Sequence, residues 1–165
     1  MAITFHNADI KFTLPEKARM KAFLKGQLSG NPDFKSFLTF IFCSDEYLLQ
    51  INRQFLNHDY YTDIITFPLV QGEKYLEAEI YISIDRVREN AAKYNSGKSL
   101  PRKAHASLVT GGINGIWFDL ELRRVIFHGV LHLLGYGDKT KAEKAEMRRM
   151  ENLWLKRYTR ATKTL

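Results

Sequence analysis

The chain has 165 residues, 45% hydrophobic and 26% charged, which supplies a real core for one globular domain and excludes a wholly disordered chain. Lys and Arg outnumber Asp and Glu by 25 to 18, a formal charge of +7, and an excess of that sign points to a polyanionic partner such as nucleic acid, with simple solubility as the competing reading. Met1 to Phe12 shows no basic stretch leading into an apolar one, and no run nears the roughly 18 apolar residues that span a bilayer, so a soluble, cytoplasmic protein with no membrane partner is expected.

Alternation in Ile3-Thr-Phe5 and in Asp9-Ile-Lys-Phe12 predicts two short strands. Pro15, with Ala18, Phe23, Leu24 and Leu28 behind it, predicts an amphipathic helix that Gly30-Asn-Pro32 closes. Phe37 to Cys43 is a continuous apolar and β-branched run, the pattern of a mid-sheet strand covered on both faces, and Cys43 is expected as a buried structural thiol. Ser44 is placed to cap a helix from Asp45 to Leu56 with Tyr47, Leu48, Ile51 and Phe55 on its buried side. A polar and aromatic loop from His58 then enters a β-branched strand near Pro68. Gln71 to Lys74 reads as a turn, and Ile80 to Ile84 as a strand antiparallel to its predecessor.

Asp85 is expected to cap a helix through Tyr94 whose Arg86, Arg88 and Lys93 form a solvated face. The segment 96–118, rich in glycine and broken by Pro101, reads as an inserted loop within a single domain 1–165, its front half carrying Lys98, Arg102 and Lys103 without an acidic residue. Asp119 is then a candidate cap for a helix with Val125, Ile126, Val130 and Leu133 as its buried stripe. Thr140 and Glu143 form a capping box for a last helix with Ala142, Met150, Leu153 and Trp154 on its apolar side and a frayed basic tail from Lys156 to Lys163.

Chemistry concentrates at the end of the helix before that box. His128 and His132 stand four residues apart, so one helical face carries both imidazoles and they can converge on one point. Gly135 supplies a left-handed helix end, and the turn after it can return Asp138 as a third ligand. Neutral imidazoles and a carboxylate, with one position left for water, are what a catalytic zinc takes, so one zinc per chain is expected on His128, His132 and Asp138. The offsets follow the metzincin pattern H-E-x-x-H-x-x-G-x-x-H with two departures: Gly129 replaces the glutamate that serves as general base, and Asp138 replaces the last histidine. Loss of that glutamate disfavours peptide hydrolysis and leaves metal binding intact.

His128-Gly-Val-Leu-His-Leu-Leu-Gly-Tyr136, Thr62-Asp-Ile-Ile-Thr-Phe-Pro68 and Ile80 to Asn90 together resemble the bacterial YbeY family of single-strand-specific endoribonucleases, over most of the chain. The family pattern H-G-x-L-H-L-x-G-Y-D-H sets its three ligands on His128, His132 and Asp138, with Asp138 in place of the usual histidine. The resemblance implies an α+β fold, a small mixed β-sheet flanked by helices, with the metal site on a central helix and the turn after it. It also implies a zinc-dependent hydrolase that cuts phosphodiester bonds in single-stranded RNA. Its implied role is in 16S ribosomal RNA 3′-end maturation and ribosome quality control, with ribosomal RNA and the small ribosomal subunit as partners.

Lys98, Arg102 and Lys103 are accordingly RNA-binding candidates. Many family members carry an arginine linked to activity where this chain has Leu56; its role is either absent here or taken by Arg53 or His58, the catalytic candidates. The loop 96–118 is longer than the family usually has. Two alternatives stay open: an RNA-binding ribosome assembly factor with a structural metal, and a metallopeptidase. A structural zinc is normally closed by four protein ligands, and three can be named here.

Overall fold

Residues 1–30, 33–95 and 112–160 are described by the computed structural model, and they belong to two compact units, Met1–Ser83 and Ile84–Leu165. In the first unit the chain runs through β1 (Ala2–Asn7), α1 (Lys17–Leu28), β2 (Lys35–Cys43), α2 (Asp45–Leu56), β3 (Ile64–Gly72) and β4 (Tyr75–Ser83). The strands form one sheet in the order β1-β2-β4-β3. β1 and β2 run parallel, as do β2 and β4, whereas β3 runs antiparallel to β4 as its sequence predicts. Parallel neighbours need a crossover connection, which α1 supplies between β1 and β2; β3 and β4 need only the two-residue turn Glu73-Lys74.

One face of the sheet is the core of this unit. Leu38, Phe40 and Phe42 of β2 lie on it with Leu76, Ala78, Ile80 and Ile82 of β4 and with Ile3 and Phe5 of β1, all buried. Complete burial of side chains this size contributes about 1.5–3 kcal/mol each, so this face stabilises the sheet more than the ladder does. Lys17 and Lys21 of α1 set their ammonium groups 5.9 and 6.0 Å from the Phe5 ring centroid, beside the Phe5–Phe40 stack. The other face of β2 is not covered along its length as expected: its burial alternates, and Phe37 is 38% exposed against Tyr75. Only its far end is closed, where Leu48 and Ile51 of α2 meet Cys43 and Ile65, with Tyr47, Phe67 and Tyr81 around them. Cys43 is buried there as anticipated, its thiol 3.5 Å from the Ile82 carbonyl.

Asp9 to Phe12 does not form the second strand. The Asp9 carboxylate accepts from the Ser44 amide at 2.9 Å and from the Ser44 hydroxyl, and Asn7 Nδ2 donates to the Phe12 carbonyl at 2.9 Å, so side-chain bonds take the backbone out of a ladder. Burial of Asp9 raises its pKa, but the hydroxyl and amide of Ser44 outweigh that and hold the carboxyl below the usual range. Ser44 also accepts from the Tyr47 amide at 3.2 Å, which confirms it as the cap of α2. On α1 the buried residues are Met20, Leu24 and Leu28, while Ala18 is exposed; on α2 Leu49 and Asn52 are buried and Phe55 is 63% exposed.

The second unit contains α3 (Ile84–Asn95), α4 (Gly112–Leu133) and α5 (Lys141–Arg160), and α4 packs against both of the others. α3 begins one residue before Asp85, which therefore sits in the first turn and not at the cap, where its charge still suits the helix dipole. Arg88 and Lys93 are exposed and ion-paired within the helix, to Asp85 and Glu89, and Arg86 pairs with Glu89 while largely buried.

α4 starts at Gly112, so residues 112–118 are helix and not loop, and Asp119 lies two turns inside, 3.7 Å from Arg123. Gly112 and Gly115 read as loop markers, yet the helix includes both despite their low helix propensity. The rest of the segment, with Lys98, Arg102, Lys103 and His105, lies outside the described residues. Leu122, Val125, Ile126, Phe127, Val130, Leu131 and Leu133 are all buried, so α4 is apolar nearly all round, as a central helix must be. Phe127 meets Trp154 and Tyr158 of α5 at 5.6 and 5.9 Å between ring centroids. On α5 the buried residues are Met147, Glu151, Trp154 and Tyr158; Ala142 is exposed, and the helix runs on through the basic tail to Arg160.

Candidate metal centre

The two histidines sit in the last turns of α4, and the way this helix stops builds the rest of the centre. Gly135 takes φ 91°, where its missing Cβ removes the steric penalty, and the chain closes a Schellman motif around it. The Gly135 amide donates to the His132 carbonyl at 2.9 Å and the Tyr136 amide to the Leu131 carbonyl at 3.1 Å. That closure turns the Tyr136 carbonyl back onto His132 Nδ1, at 2.9 Å. Two residues later Asp138 points toward the imidazoles. Its position is held from the other side by the predicted capping box: Glu143 accepts from the amides of Lys139 and Thr140 at 3.0 and 2.7 Å, while its own amide donates to Thr140 Oγ1 at 3.2 Å. The Thr140 amide and hydroxyl bonds, helped by Lys139, hold the Glu143 carboxyl below its ordinary value against a smaller opposing effect of burial. A Cβ on Gly137 would come within 2.8 Å of that carboxyl group, so a side chain there would have to displace it.

His128, His132 and Asp138 are the one group of potential metal ligands among the described residues, with donor atoms within 4.8 Å of one another. His128 Nε2 and His132 Nε2 are 2.9 Å apart, and Asp138 Oδ2 lies 3.8 and 3.7 Å from them. The circle through three atoms at these separations has a radius of about 2.0 Å, the length of a zinc bond to imidazole nitrogen or carboxylate oxygen. The tautomers agree. The Tyr136 carbonyl can only accept, and the ionised Glu151 carboxylate, 2.8 Å from His128 Nδ1, also only accepts, so each neutral ring carries its proton on Nδ1 and leaves Nε2 bare. Two bare nitrogens at 2.9 Å repel unless a cation lies against both, so this donor set fits a metal ion. Asp138 is 45% exposed and His132 31%, which leaves a side of the group open to solvent, as catalytic sites are and structural ones are not.

The residue that sequence reasoning missed is Glu151. It is 4% exposed, and besides His128 it holds Arg124 Nη1 at 2.9 Å and Arg148 Nη1 at 3.3 Å. Burial raises its pKa, but the bonds from His128 and Arg124 and the charge of Arg148 outweigh it and keep the carboxyl below the usual range. A signal was present: 151 falls on the stripe of Met147, Trp154 and Tyr158, and a charge on an apolar stripe needs a partner. Arg53 and His58 belong to the first unit. Arg53 Nε is 2.6 Å from Asp59 Oδ1, and His58 stacks on Tyr60 with Nδ1 3.1 Å from its hydroxyl; Leu56 beside them is 42% exposed.

Known proteins resemble the chain over most of its length. The sequence model of the family described as Endoribonuclease YbeY matches residues 3–159. Among similar relatives, the Endoribonuclease YbeY of Cytophaga hutchinsonii is 41% identical over 150 residues, 91% of each chain. That of Bacteroides thetaiotaomicron is 36% identical over 152 residues, covering 92% of this chain and 96% of the relative. The solution structure of TM1509 from Thermotoga maritima shares the fold, with a TM-score of 0.56 at 23% identity over 95% of this chain and 89% of that one. The chain therefore belongs to the YbeY endoribonuclease family.

Proposed function

We propose that the chain is an endoribonuclease that cuts single-stranded RNA in 16S ribosomal RNA 3′-end maturation and ribosome quality control, using one zinc ion on His128, His132 and Asp138. Family membership supports the reaction class, and the relatives bearing the endoribonuclease name cover nine-tenths of this chain. The observation that carries the metal reading is the convergence of two bare imidazole nitrogens and a carboxylate oxygen on a circle of about 2.0 Å radius that is open to solvent. When bound, a zinc ion supplies Lewis acidity and an activated water for phosphodiester hydrolysis. His128 and His132 present their Nε2 lone pairs, Asp138 brings one negative charge, and Glu151 and the Tyr136 carbonyl hold the two rings. Gly129, where a metallopeptidase has its glutamate, disfavours peptide hydrolysis. A structural metal is disfavoured because three ligands, not four, are found among the described residues.

The formal charge of +7 supports RNA as the partner, and Lys98, Arg102 and Lys103 are proposed to contact its phosphates. Arg53 or His58 is proposed to take the role of the arginine that many family members place at the position of Leu56. The small ribosomal subunit is the proposed assembly partner and the cytoplasm the proposed compartment; among the described residues no helix is long and apolar enough to cross a membrane. The test is cleavage by protein purified without chelator. It should carry about one zinc per chain, degrade single-stranded RNA, spare duplex and casein, and stop with a chelator. Cleavage by His132→Ala at the parent rate would refute the site, and RNA binding without cleavage would favour the assembly-factor alternative.

A further inference from the structure

We infer that Glu151, clamped by Arg124 and Arg148, is a positioning residue that selects the metal-binding tautomer of His128. The inference rests on the metal centre proposed above. The two oxygens of Glu151 have separate partners: Oε2 faces Arg124 Nη1 at 2.9 Å and Arg148 Nη1 at 3.3 Å, while Oε1 faces His128 Nδ1 at 2.8 Å. A guanidinium only donates, so Oε2 must stay an acceptor and the carboxylate cannot turn over without stranding two cations. Two guanidiniums keep the group a carboxylate, so Oε1 is an acceptor as well. The His128 proton must sit on Nδ1, and Nε2 is left bare beside His132 Nε2 and Asp138.

The placement is costly enough to need a purpose. Glu151 is 4% exposed on the stripe of Met147, Trp154 and Tyr158, where an apolar residue would pack without any partner. The arginines stabilise the buried charge, yet they account for one oxygen only. The second oxygen is spent on a histidine whose other nitrogen belongs to the ligand group, an outer partner of the kind that orients metal-bound imidazoles. Arg124 is itself fixed, 3.1 Å from Asn152 Oδ1 and 3.7 Å from Glu121, so the clamp has little freedom to follow a change at 151.

This arrangement makes an isosteric variant informative. In Glu151→Gln the arginines claim the single carbonyl oxygen, and the amide NH2 is left facing His128 Nδ1. A donor there favours the tautomer with its proton on Nε2, which cannot offer that nitrogen to a metal until the proton moves. Zinc affinity, read by competition with a chromophoric chelator, should fall about 10- to 100-fold. In chelator-treated protein, nitrogen NMR of the neutral His128 ring should find its proton on Nδ1 in the parent and on Nε2 in the variant. Glu151→Asp, which keeps the charge and loses the reach, should fall between the two.

A residue that only stabilised the fold would lower the melting temperature of Glu151→Gln and leave both the zinc dissociation constant and the tautomer unmoved; that result overturns the inference while the metal centre stands. A parent protein that binds no zinc overturns both. If Glu151→Gln does not fold, the parent decides: His128 protonated on Nε2 in the metal-free protein refutes the inference, and protonation on Nδ1 with a slowly exchanging proton supports it.

Discussion

Gly135→Ala separates backbone conformation from packing at the metal centre. A Cβ at this position would meet nothing within 4 Å, so steric crowding contributes no penalty and the φ of 91° decides the outcome. Holding an alanine in left-handed backbone costs about 1–2 kcal/mol, and the lost freedom of the unfolded chain returns about 0.4–1 kcal/mol. Strain wins by about 1 kcal/mol, which for a chain of this size lowers the melting temperature by about 2–4 °C. The variant can relieve the strain by opening the Schellman motif, but that withdraws the Tyr136 carbonyl from His132 Nδ1, so the stabilisation that zinc adds should shrink as well. Thermal melts of parent, Gly135→Ala and Gly135→Asn, with and without saturating zinc, read both effects, and asparagine should lose least because it tolerates this region. A melting temperature for Gly135→Ala equal to or above the parent would refute the reasoning.

Asp138→Ala should bind zinc at least about tenfold more weakly, whereas Asp138→His should keep it; full occupancy with unchanged RNA cleavage in the alanine variant would send the search for the third ligand elsewhere. Alanine at Lys98, Arg102 and Lys103 together should weaken RNA binding and reduce the salt slope by about 2, with zinc content unchanged, and an unaltered slope would remove these residues from the RNA interface. The carboxyl of Asp9 is held below its unfolded value, so its contribution to stability is complete above about pH 4 and is lost as pH falls through the lower folded value. Asp9→Asn should therefore melt below the parent at neutral pH and converge with it in strong acid, and a constant gap across that range would show that the Ser44 bonds do not depend on the charge.

Whatever rests on a few consecutive residues was legible in the sequence. The pair His128 and His132 needs only helical periodicity, Gly135 and Asp138 only the turn that follows, and the Thr140–Glu143 box and the Ser44 cap span three or four positions. The misreadings occur where a distant partner decides. Asp9 to Phe12 alternates like a strand, but Ser44, thirty-five positions on, takes the Asp9 carboxylate. Phe37 to Cys43 is apolar throughout, yet α2 closes only the end of its second face. Gly112 and Gly115 mark a loop until α4 is seen packed between α3 and α5.

Glu151 shows how such an error arises on a helix. A stripe drawn only through apolar residues passes from Met150 to Leu153 and Trp154, while the buried line runs through Met147, Glu151, Trp154 and Tyr158. Leaving 151 off the stripe displaces it onto the half-buried Met150 and Leu153 beside it and hides the carboxylate that meets His128. The spacing 147, 151, 154, 158 is nevertheless a better helical repeat than the purely apolar one, and it places an acid in the core. An acid on a buried stripe demands cations or donors from the facing helix, and α4 offers Arg124 and His128, four residues apart on one face. Followed through its polar member, the repeat therefore leads from Glu151 to His128, because a carboxylate buried there without such donors would cost more than the packing of its apolar neighbours returns.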